Sequence, residues 1–186
     1  MNYKEIEVRF LEIDKEKLIE KLHELQATDL GENLLEEVII YDKDLTWRDS
    51  VHKLLRLRTY GGKTYLAYKH RLQTTTIETD EVELEVSSQT AAEELLSRLG
   101  YFAYRHQQKR RHSFKIENVI IDIDEWPRIP PYVELEGPDE HSLQQVALKL
   151  GLDWNTVDLR GPRTIIEDTY NIPVGNMHWF TFDRFE

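Results

Sequence analysis

Apolar and polar residues alternate along eight short segments of this chain. The first segment is NYKEIEVRF (2–10), in which the charged residues Glu5, Glu7 and Arg9 alternate with apolar residues. A period of two residues predicts a β-strand with one apolar and one polar face. The other segments with this period are 36–41, 54–59, 64–70, 81–86, 106–114, 118–125 and 132–136.

Four further segments repeat apolar residues at helical spacing, and they span 14–27, 90–99, 139–150 and 164–171. Asp14 is the expected N-cap of the first helix. A capping box, in which Glu follows Thr three residues later, predicts that the second and fourth helices begin at Thr90 and Thr164. Gly100 and Gly151 predict left-handed ends for the second and third helices.

The order of these elements is strand, helix, four strands, helix, three strands and two helices. Short links between consecutive strands predict an antiparallel sheet in an α+β fold, and eight strands are enough to close into a barrel. Two architectures fit this pattern. In an open sheet, the apolar face rests on the helices and the charges face solvent. In a closed barrel, the apolar face lies outward beneath the helices and the charges line the bore.

Composition restricts the class of protein. A chain of 186 residues predicts one domain, 1–186, in which 173–186 form a C-terminal aromatic tail. The net charge of −11 argues against nucleic acid as a partner. The chain has no cysteine, which excludes disulfides and thiolate metal sites. It also lacks a signal-peptide pattern and a run of 18 apolar residues, so we expect no membrane partner and a cytoplasmic location.

Acidic and basic strands are intermixed around the predicted sheet. The charged positions that share a strand face are Glu5, Glu7, Arg9, Arg56, Arg58, Lys69, Glu81, Glu83, Glu85, Lys109, Arg111, Asp122, Asp124, Glu134 and Glu136. Unpaired buried charge is costly, so a closed bore lined by these residues would have to hold water, ions and a polyanion. Carboxylates bind Mg²⁺ or Mn²⁺ through oxygen, and Arg and Lys bind phosphates.

The chain resembles a known family over almost its whole length. The segments EIEVRF, IIYDKD, LLRLR, LAYKH, EVELEV, QKRR and IDIDEWPRIPPYVELEG occur in the order that is typical of the CYTH superfamily, also called triphosphate tunnel metalloenzymes. Its members include class IV adenylyl cyclases, thiamine triphosphatases and inorganic triphosphatases. The stretch DEWPRIPPYVELEG is similar to a prokaryotic subgroup labelled class IV adenylyl cyclase-like. The resemblance implies an eight-stranded closed antiparallel barrel around a hydrophilic tunnel, with peripheral helices.

The resemblance also implies roles for the charged residues. The implied ligands for Mg²⁺ or Mn²⁺ are Glu5, Glu7, Asp122, Asp124, Glu134 and Glu136. The implied phosphate-binding cations are Arg9, Arg56, Arg58, Lys69, Lys109 and Arg111. The implied catalytic group comprises Glu5, Glu7, Arg9, Glu83, Glu85, Asp122 and Asp124.

One residue departs from the family signature ExExK, because Arg9 stands where lysine is usual. Arginine stays protonated, so Arg9 is excluded as a general base. A family mechanism in which that lysine deprotonates water therefore does not transfer to this chain. Water held by a metal ion or a carboxylate is the expected nucleophile.

Three functions are compatible with the sequence. We rank a metal-dependent triphosphatase first, acting on inorganic tripolyphosphate or an organic triphosphate, because hydrolysis only has to admit water at the terminal phosphate. The alternatives are an adenylyl cyclase that makes cyclic AMP and pyrophosphate, and a non-catalytic sensor of polyphosphate or nucleotide. The aromatic tail could form a lid over the bound base, an edge strand, or a contact in a homodimer, but aromatic tails more often simply dock on the domain.

Overall fold

The computed structural model describes residues 3–49, 53–70 and 78–186; for residues 3–5, 78 and 79 it describes the backbone alone. The strands are β1 (Tyr3–Phe10), β2 (Thr28–Asp42), β3 (Lys53–Tyr60), β4 (Lys63–His70), β5 (Glu78–Val86), β6 (Tyr101–Ile116), β7 (Val119–Glu125), β8 (Tyr132–Gly137) and β9 (Trp179–Phe180). The helices are α1 (Lys15–Glu24), α2 (Thr46–Asp49), α3 (Gln89–Arg98), α4 (Glu140–Leu150) and α5 (Pro162–Tyr170).

The first eight strands form a closed ring. Their hydrogen-bonding order is β2-β3-β4-β5-β1-β8-β7-β6, and β6 pairs in turn with β2. All of these pairings are antiparallel. The α+β class and the closed barrel are therefore confirmed, and the open sheet is excluded.

The apolar face of the ring lies outward beneath the helices. On one side, Val8, Leu135 and neighbouring apolar residues of β1, β7 and β8 pack against α1 and α4 in one buried cluster. On the other side, Val38 and Leu57 belong to a second cluster, against which Ala92 of α3 packs. Because side chains alternate across a strand, the charged residues between these positions point into the bore.

Two strands are longer than their patterns predicted. β2 was expected over 36–41 and β6 over 106–114, but the two pair from Thr28 opposite Lys115 to Asp42 opposite Tyr101. The pairing shifts register twice along its length. The sequence also places two leucines side by side in the first half of β2, where Leu34 is exposed and Leu35 is buried. Apolar residues on both faces interrupt the alternation on which the prediction depended.

Helix boundaries agree in part with the predicted capping signals. Asp14 caps α1 and accepts a hydrogen bond from the Lys17 backbone N–H at 3.2 Å, as predicted. Gly151 ends α4 with φ +75°, also as predicted. The predicted start of α3 at Thr90 is wrong, because Ser88 is the N-cap and accepts from the Ala91 N–H. β5 ends at Val86, so the helix can begin two residues earlier than the capping box indicated.

The predicted start of α5 is wrong as well. The helix begins at Pro162, whose fixed φ suits the first helical position, and Gly161 is its N-cap. Glu167 therefore does not close a capping box. Its carboxylate instead accepts a hydrogen bond from the Gly175 N–H at 2.7 Å, beyond the end of the helix. No helix in the described ranges is long and apolar enough to span a membrane.

The aromatic tail docks on its own barrel. β9 pairs in parallel with β6, with Phe180 opposite Gln107. Phe180 is completely buried and belongs to a cluster with Trp126 and Tyr132, which lie at one end of the bore, and with Val174. The structure therefore shows the expected docking on the domain, and part of the tail pairs as a short strand. We name residues 174–181 the tail cover.

We predict that Phe180→Ala lowers the free energy of unfolding by about 3–5 kcal/mol, because it empties a fully buried aromatic site. Phe182→Ala is the matched control: this ring is 37% exposed, and its removal should change stability by less than about 1 kcal/mol. Urea unfolding of both variants measures the difference. Equal stabilities would contradict the docking of the tail.

Candidate functional site

Opposite charges from β1 and β8 meet inside the barrel. Arg9 lies opposite Glu134 in the register, and its Nη2 contacts Glu134 Oε2 at 2.6 Å and Glu7 Oε1 at 2.8 Å. Arg9 is only 2% exposed. Burial disfavours its charge, but Glu134 and Glu7 raise the pKa of Arg9 above its ordinary value. Arg9 is therefore a permanent cation held between two carboxylates.

A second group of charges joins β6 and β7. Arg111 binds Asp124 through two hydrogen bonds, Nε to Oδ1 at 2.6 Å and Nη2 to Oδ2 at 2.7 Å. The same guanidinium contacts Asp122, and it reaches Glu134 at 3.2 Å. Lys109 Nζ donates to Asp124 Oδ2 at 2.7 Å. Burial, with the neighbouring charge of Arg111, lowers the pKa of Lys109 to about 8. These contacts tie β6, β7 and β8 together through one buried network.

The third group centres on Glu37, which the sequence patterns missed. Glu37 is 3% exposed and accepts from Arg58 Nε at 2.7 Å, from Arg56 Nη1 at 3.4 Å and from Gln107 Nε2. Burial disfavours its charge, but Arg58 and Arg56 hold the pKa of Glu37 well below its usual range. Glu36 and Glu37 are adjacent in sequence, so no Glu-x-Glu spacing marks the inward residue. The available signal was the alternation with Val38 and Ile40, which face the outer core.

The charged residues on one face of β5 differ in burial along the strand. Lys69 Nζ contacts Glu81 Oε2 at 2.6 Å, and both side chains are mostly buried. Glu83 and Glu85, which the sequence predicts to be catalytic, lie on the same face of β5 as Glu81, but their side chains are exposed. Glu85 pairs with Lys63 at 2.9 Å. The side chain of Glu5 lies outside the described part of the structure. The structure thus brings these predicted residues to the bore: Glu7, Arg9, Arg56, Arg58, Lys69, Lys109, Arg111, Asp122, Asp124, Glu134 and Glu136.

Carboxylates are crowded where β1, β7 and β8 adjoin. Burial and the nearby charge of Glu134 raise the pKa of Glu136 to about 7. Burial raises the pKa of Asp122 as well, and Asp124 and Glu134 add to the shift. A divalent cation would relieve this repulsion, and carboxylate oxygens are the ligands that Mg²⁺ and Mn²⁺ prefer. The donor set therefore fits a hard metal ion, although among the described residues no three His, Asp or Glu side chains already converge on a metal position.

Two buried donors in the bore have no acceptor within the part of the chain that the structure describes. Arg9 Nε and Arg56 Nε make no hydrogen bond to the described protein, although both atoms are buried. Buried polar groups in native proteins are normally paired, so an unmet donor indicates a missing partner. A phosphate oxygen has the charge and the lone pairs that a guanidinium N–H requires. The bore thus presents donors for an anion next to carboxylates that suit a cation.

The sequence places this barrel in a known family. The model of the CYTH domain matches residues 3–161. The chain belongs to the CYTH family. CYTH proteins are typically triphosphatases or cyclases, and they generally use divalent metal ions. No protein of curated function matches the chain in sequence.

Several solved structures share the fold. The PH1012 protein of Pyrococcus horikoshii is 28% identical, with a TM-score of 0.71, and the match covers 84% of this chain and 96% of that one. A candidate adenylate cyclase of Vibrio parahaemolyticus is 16% identical, with a TM-score of 0.75, and the match covers 90% and 99%. HpAC1 of Hippeastrum, a candidate adenylyl cyclase described with a dominant triphosphatase activity, is 18% identical, with a TM-score of 0.64 and coverage of 92% and 96%.

Glu37 offers a direct test of the buried network. Glu37→Gln leaves Arg56 and Arg58 buried without their carboxylate, so we expect the free energy of unfolding at pH 7 to fall by about 3–5 kcal/mol. Glu36→Gln is the matched control, because Glu36 is exposed and should be nearly neutral. Urea unfolding at pH 7 compares the two variants, and equal stabilities would contradict the assigned contacts.

The stabilisation by Glu37 should depend on pH in a definite direction. The folded pKa of Glu37 is lowered, so the unfolded chain binds more protons at this site than the folded chain. The contribution of ionised Glu37 to the free energy of unfolding is complete above the unfolded pKa of about 4.3, and it is lost as the pH falls through the folded pKa. The stability difference between the wild-type protein and Glu37→Gln should therefore shrink below about pH 4.3. A difference that grows on acidification would contradict this sign.

Proposed function

We propose that this CYTH domain is a divalent-metal-dependent triphosphatase, which hydrolyses inorganic tripolyphosphate or an organic triphosphate bound in the bore. The observation that supports it is the closed ring itself, in which guanidinium groups and carboxylates face each other and the Nε donors of Arg9 and Arg56 have no acceptor. A polyanion accompanied by a cation matches both sets of charges.

Binding would proceed by an exchange of partners. Arg9 contacts Glu7 and Glu134, and Arg111 contacts Asp122, Asp124 and Glu134. A triphosphate that draws these guanidinium groups onto its own oxygens leaves the carboxylates buried without a counter-charge. Such uncompensated burial costs several kcal/mol. Anion binding therefore requires a cation that takes over the carboxylates.

The carboxylates of Glu7, Asp122, Glu134 and Glu136 are the described residues that would hold the metal ion. A divalent cation bound there would offset phosphate charge and lower the pKa of a coordinated water. Arg9, Arg56 and Arg58 would bind and orient the phosphates and offset the charge that develops on the transferred group. Arg9 cannot accept a proton. The proposed acceptor of the proton from the attacking water is therefore a carboxylate oxygen of Glu7, Asp122, Glu134 or Glu136.

The order of the alternatives follows from what each reaction demands. A cyclase must hold a ribose 3′-hydroxyl against the α-phosphorus, whereas a hydrolase needs only water at the terminal phosphate. HpAC1, which shares this fold, is described with a dominant triphosphatase activity. The candidate adenylate cyclase of Vibrio parahaemolyticus also shares this fold, so cyclase activity is the second candidate. We therefore rank hydrolysis first.

The test incubates the protein with tripolyphosphate, ATP or thiamine triphosphate and with Mg²⁺ or Mn²⁺, and separates phosphate, pyrophosphate and cyclic AMP. Release of phosphate supports the triphosphatase. Cyclic AMP with pyrophosphate would establish the cyclase instead. Tight binding of tripolyphosphate without any product would establish the sensor.

Two substitutions should separate catalysis from binding. Glu134→Gln should lower kcat on the order of 100-fold or more, because it removes a carboxylate that contacts both Arg9 and Arg111. Arg58→Gln should mainly raise KM, by about 10- to 100-fold, because it removes charge-assisted hydrogen bonds to phosphate. Arg110→Gln is the control, because Arg110 is exposed on the outer face of β6. Near-normal rates for Glu134→Gln, with folding confirmed by circular dichroism, would contradict the assignment.

The exchange of partners also predicts that binding itself depends on metal. We expect the affinity for tripolyphosphate, measured by calorimetry, to fall at least about tenfold when EDTA replaces Mg²⁺ or Mn²⁺, since about 1.4 kcal/mol of uncompensated carboxylate repulsion is enough for that change. Readdition of the metal should restore the affinity. Equal affinity with and without metal would show that the carboxylates need no cation.

A further inference from the structure

One buried arginine of the bore was assigned no role by the sequence patterns. Arg105 lies on β6 and is 3% exposed. It faces Ile39 of β2 in the register, and Arg56 of β3 faces Ile39 from the other side. Arg105 and Arg56 therefore lie at the same level of the barrel and flank a single buried residue.

The contacts of Arg105 differ from those of the other bore cations. Its Nε donates to Gln107 Oε1 at 2.8 Å, and its Nη1 donates to the Val174 carbonyl at 2.8 Å and reaches the Tyr41 hydroxyl at 3.5 Å. All of these acceptors are neutral. Within the described residues, no carboxylate contacts Arg105. By contrast, the bore cations that contact carboxylates are Arg9, Arg56, Arg58, Lys69, Lys109 and Arg111.

Burial without a counter-charge is unfavourable for a guanidinium. Consistent with this, burial lowers the pKa of Arg105, and the charge of Arg163 on α5 acts in the same direction. Tyr41 and the more distant charge of Glu37 offset only part of this shift. Arg56 at the same level also has a lowered pKa, owing to burial and to Arg58. This level of the barrel therefore carries more buried positive charge than its carboxylates offset, and an anion bound there would be stabilised.

The tail cover closes the bore next to Arg105. Val174 contributes the carbonyl that Arg105 contacts, and Phe180 packs with Trp126 and Tyr132 at this end. The tail cover also packs against α5, where a Cβ on Gly175 would lie 2.2 Å from Arg163 Nη2. The CYTH match ends at residue 161, so the tail cover belongs to the part of the chain beyond it.

We propose that Arg105 is an additional anion-binding residue, which with Arg56 holds the terminal phosphate of a linear triphosphate against the end of the bore closed by the tail cover. This inference rests on the proposed function. Arg56 Nε is a buried donor without an acceptor among the described residues, and Arg105 is a buried guanidinium that no described carboxylate contacts. A terminal phosphate carries the largest share of the negative charge of a triphosphate, so it suits both groups. The head group of an organic triphosphate then lies toward the opposite end of the barrel.

Calorimetry with tripolyphosphate and Mg²⁺ tests the proposal on the full chain. Arg105→Gln should raise the Kd by about 10- to 100-fold, as expected for the loss of charge-assisted hydrogen bonds. Arg105→Lys keeps the charge and should recover part of that loss. Arg110→Gln removes the same charge from the outer face of the same strand and should leave the Kd within about twofold.

A structural role for Arg105 gives a different result. If Arg105 only secured the Val174 segment, Arg105→Gln would lower the unfolding free energy without ligand and would leave the Kd at the wild-type value. That result overturns the inference while the proposed function stands. If Arg105→Gln does not fold, Arg105→Lys replaces it in the test. A wild-type Kd for Arg105→Lys would overturn the inference equally, because lysine has a single donor nitrogen and cannot reproduce the hydrogen bonds of a guanidinium to phosphate. Failure of the wild-type protein to bind tripolyphosphate would instead refute the proposed function.

Discussion

Pairs of opposite charge between neighbouring strands, turned toward the inside of a closed ring, are the constraint on which this structure depends. Among the described residues, four such pairs stand directly opposite each other in the strand register: Arg9 with Glu134, Glu37 with Arg58, Lys69 with Glu81, and Arg111 with Asp124. Opposite charges at paired positions stabilise a strand register. A slip of one residue would turn the charged side chains outward beneath the helices and the apolar side chains into the bore. Strand register, ring closure and the candidate site are therefore set by the same contacts.

This arrangement is a costly way to build a protein interior. A buried ion pair is often no more stabilising than apolar side chains of similar size, so stability alone does not explain why so many charges line the bore. Under the proposed function their value lies in exchange: each guanidinium would pass from a carboxylate to a phosphate, and each carboxylate from a guanidinium to a metal ion. The apolar residues that stabilise the fold lie outside the ring instead, where Leu22 of α1 and Leu143 of α4 are fully buried against the strands.

The predictions succeeded where charge and apolar residues alternate without interruption. EIEVRF and YVELE supplied Glu7, Arg9 and Glu134, and all three are in the bore. The alternation in EVELEV predicted Glu85 equally well, yet it is exposed, because the described part of β1 pairs with β5 only as far as Glu81. A strand pattern states which residues share a face, but it does not state how far the neighbouring strand extends. Glu37 was missed because Glu36 and Glu37 are adjacent, so the sequence does not indicate which of the two side chains points inward.

The sequence by itself determined the eight strands, the faces on which their charges lie and the family to which the chain belongs, because these depend on local periodicity and on the order of short motifs. Only the tertiary structure decided which charges pair, which end of the bore the tail covers and why Arg105 lacks a carboxylate partner among the described residues. Those properties arise from contacts between residues far apart in the chain, such as Arg105 with Val174, and no local pattern encodes such a distance.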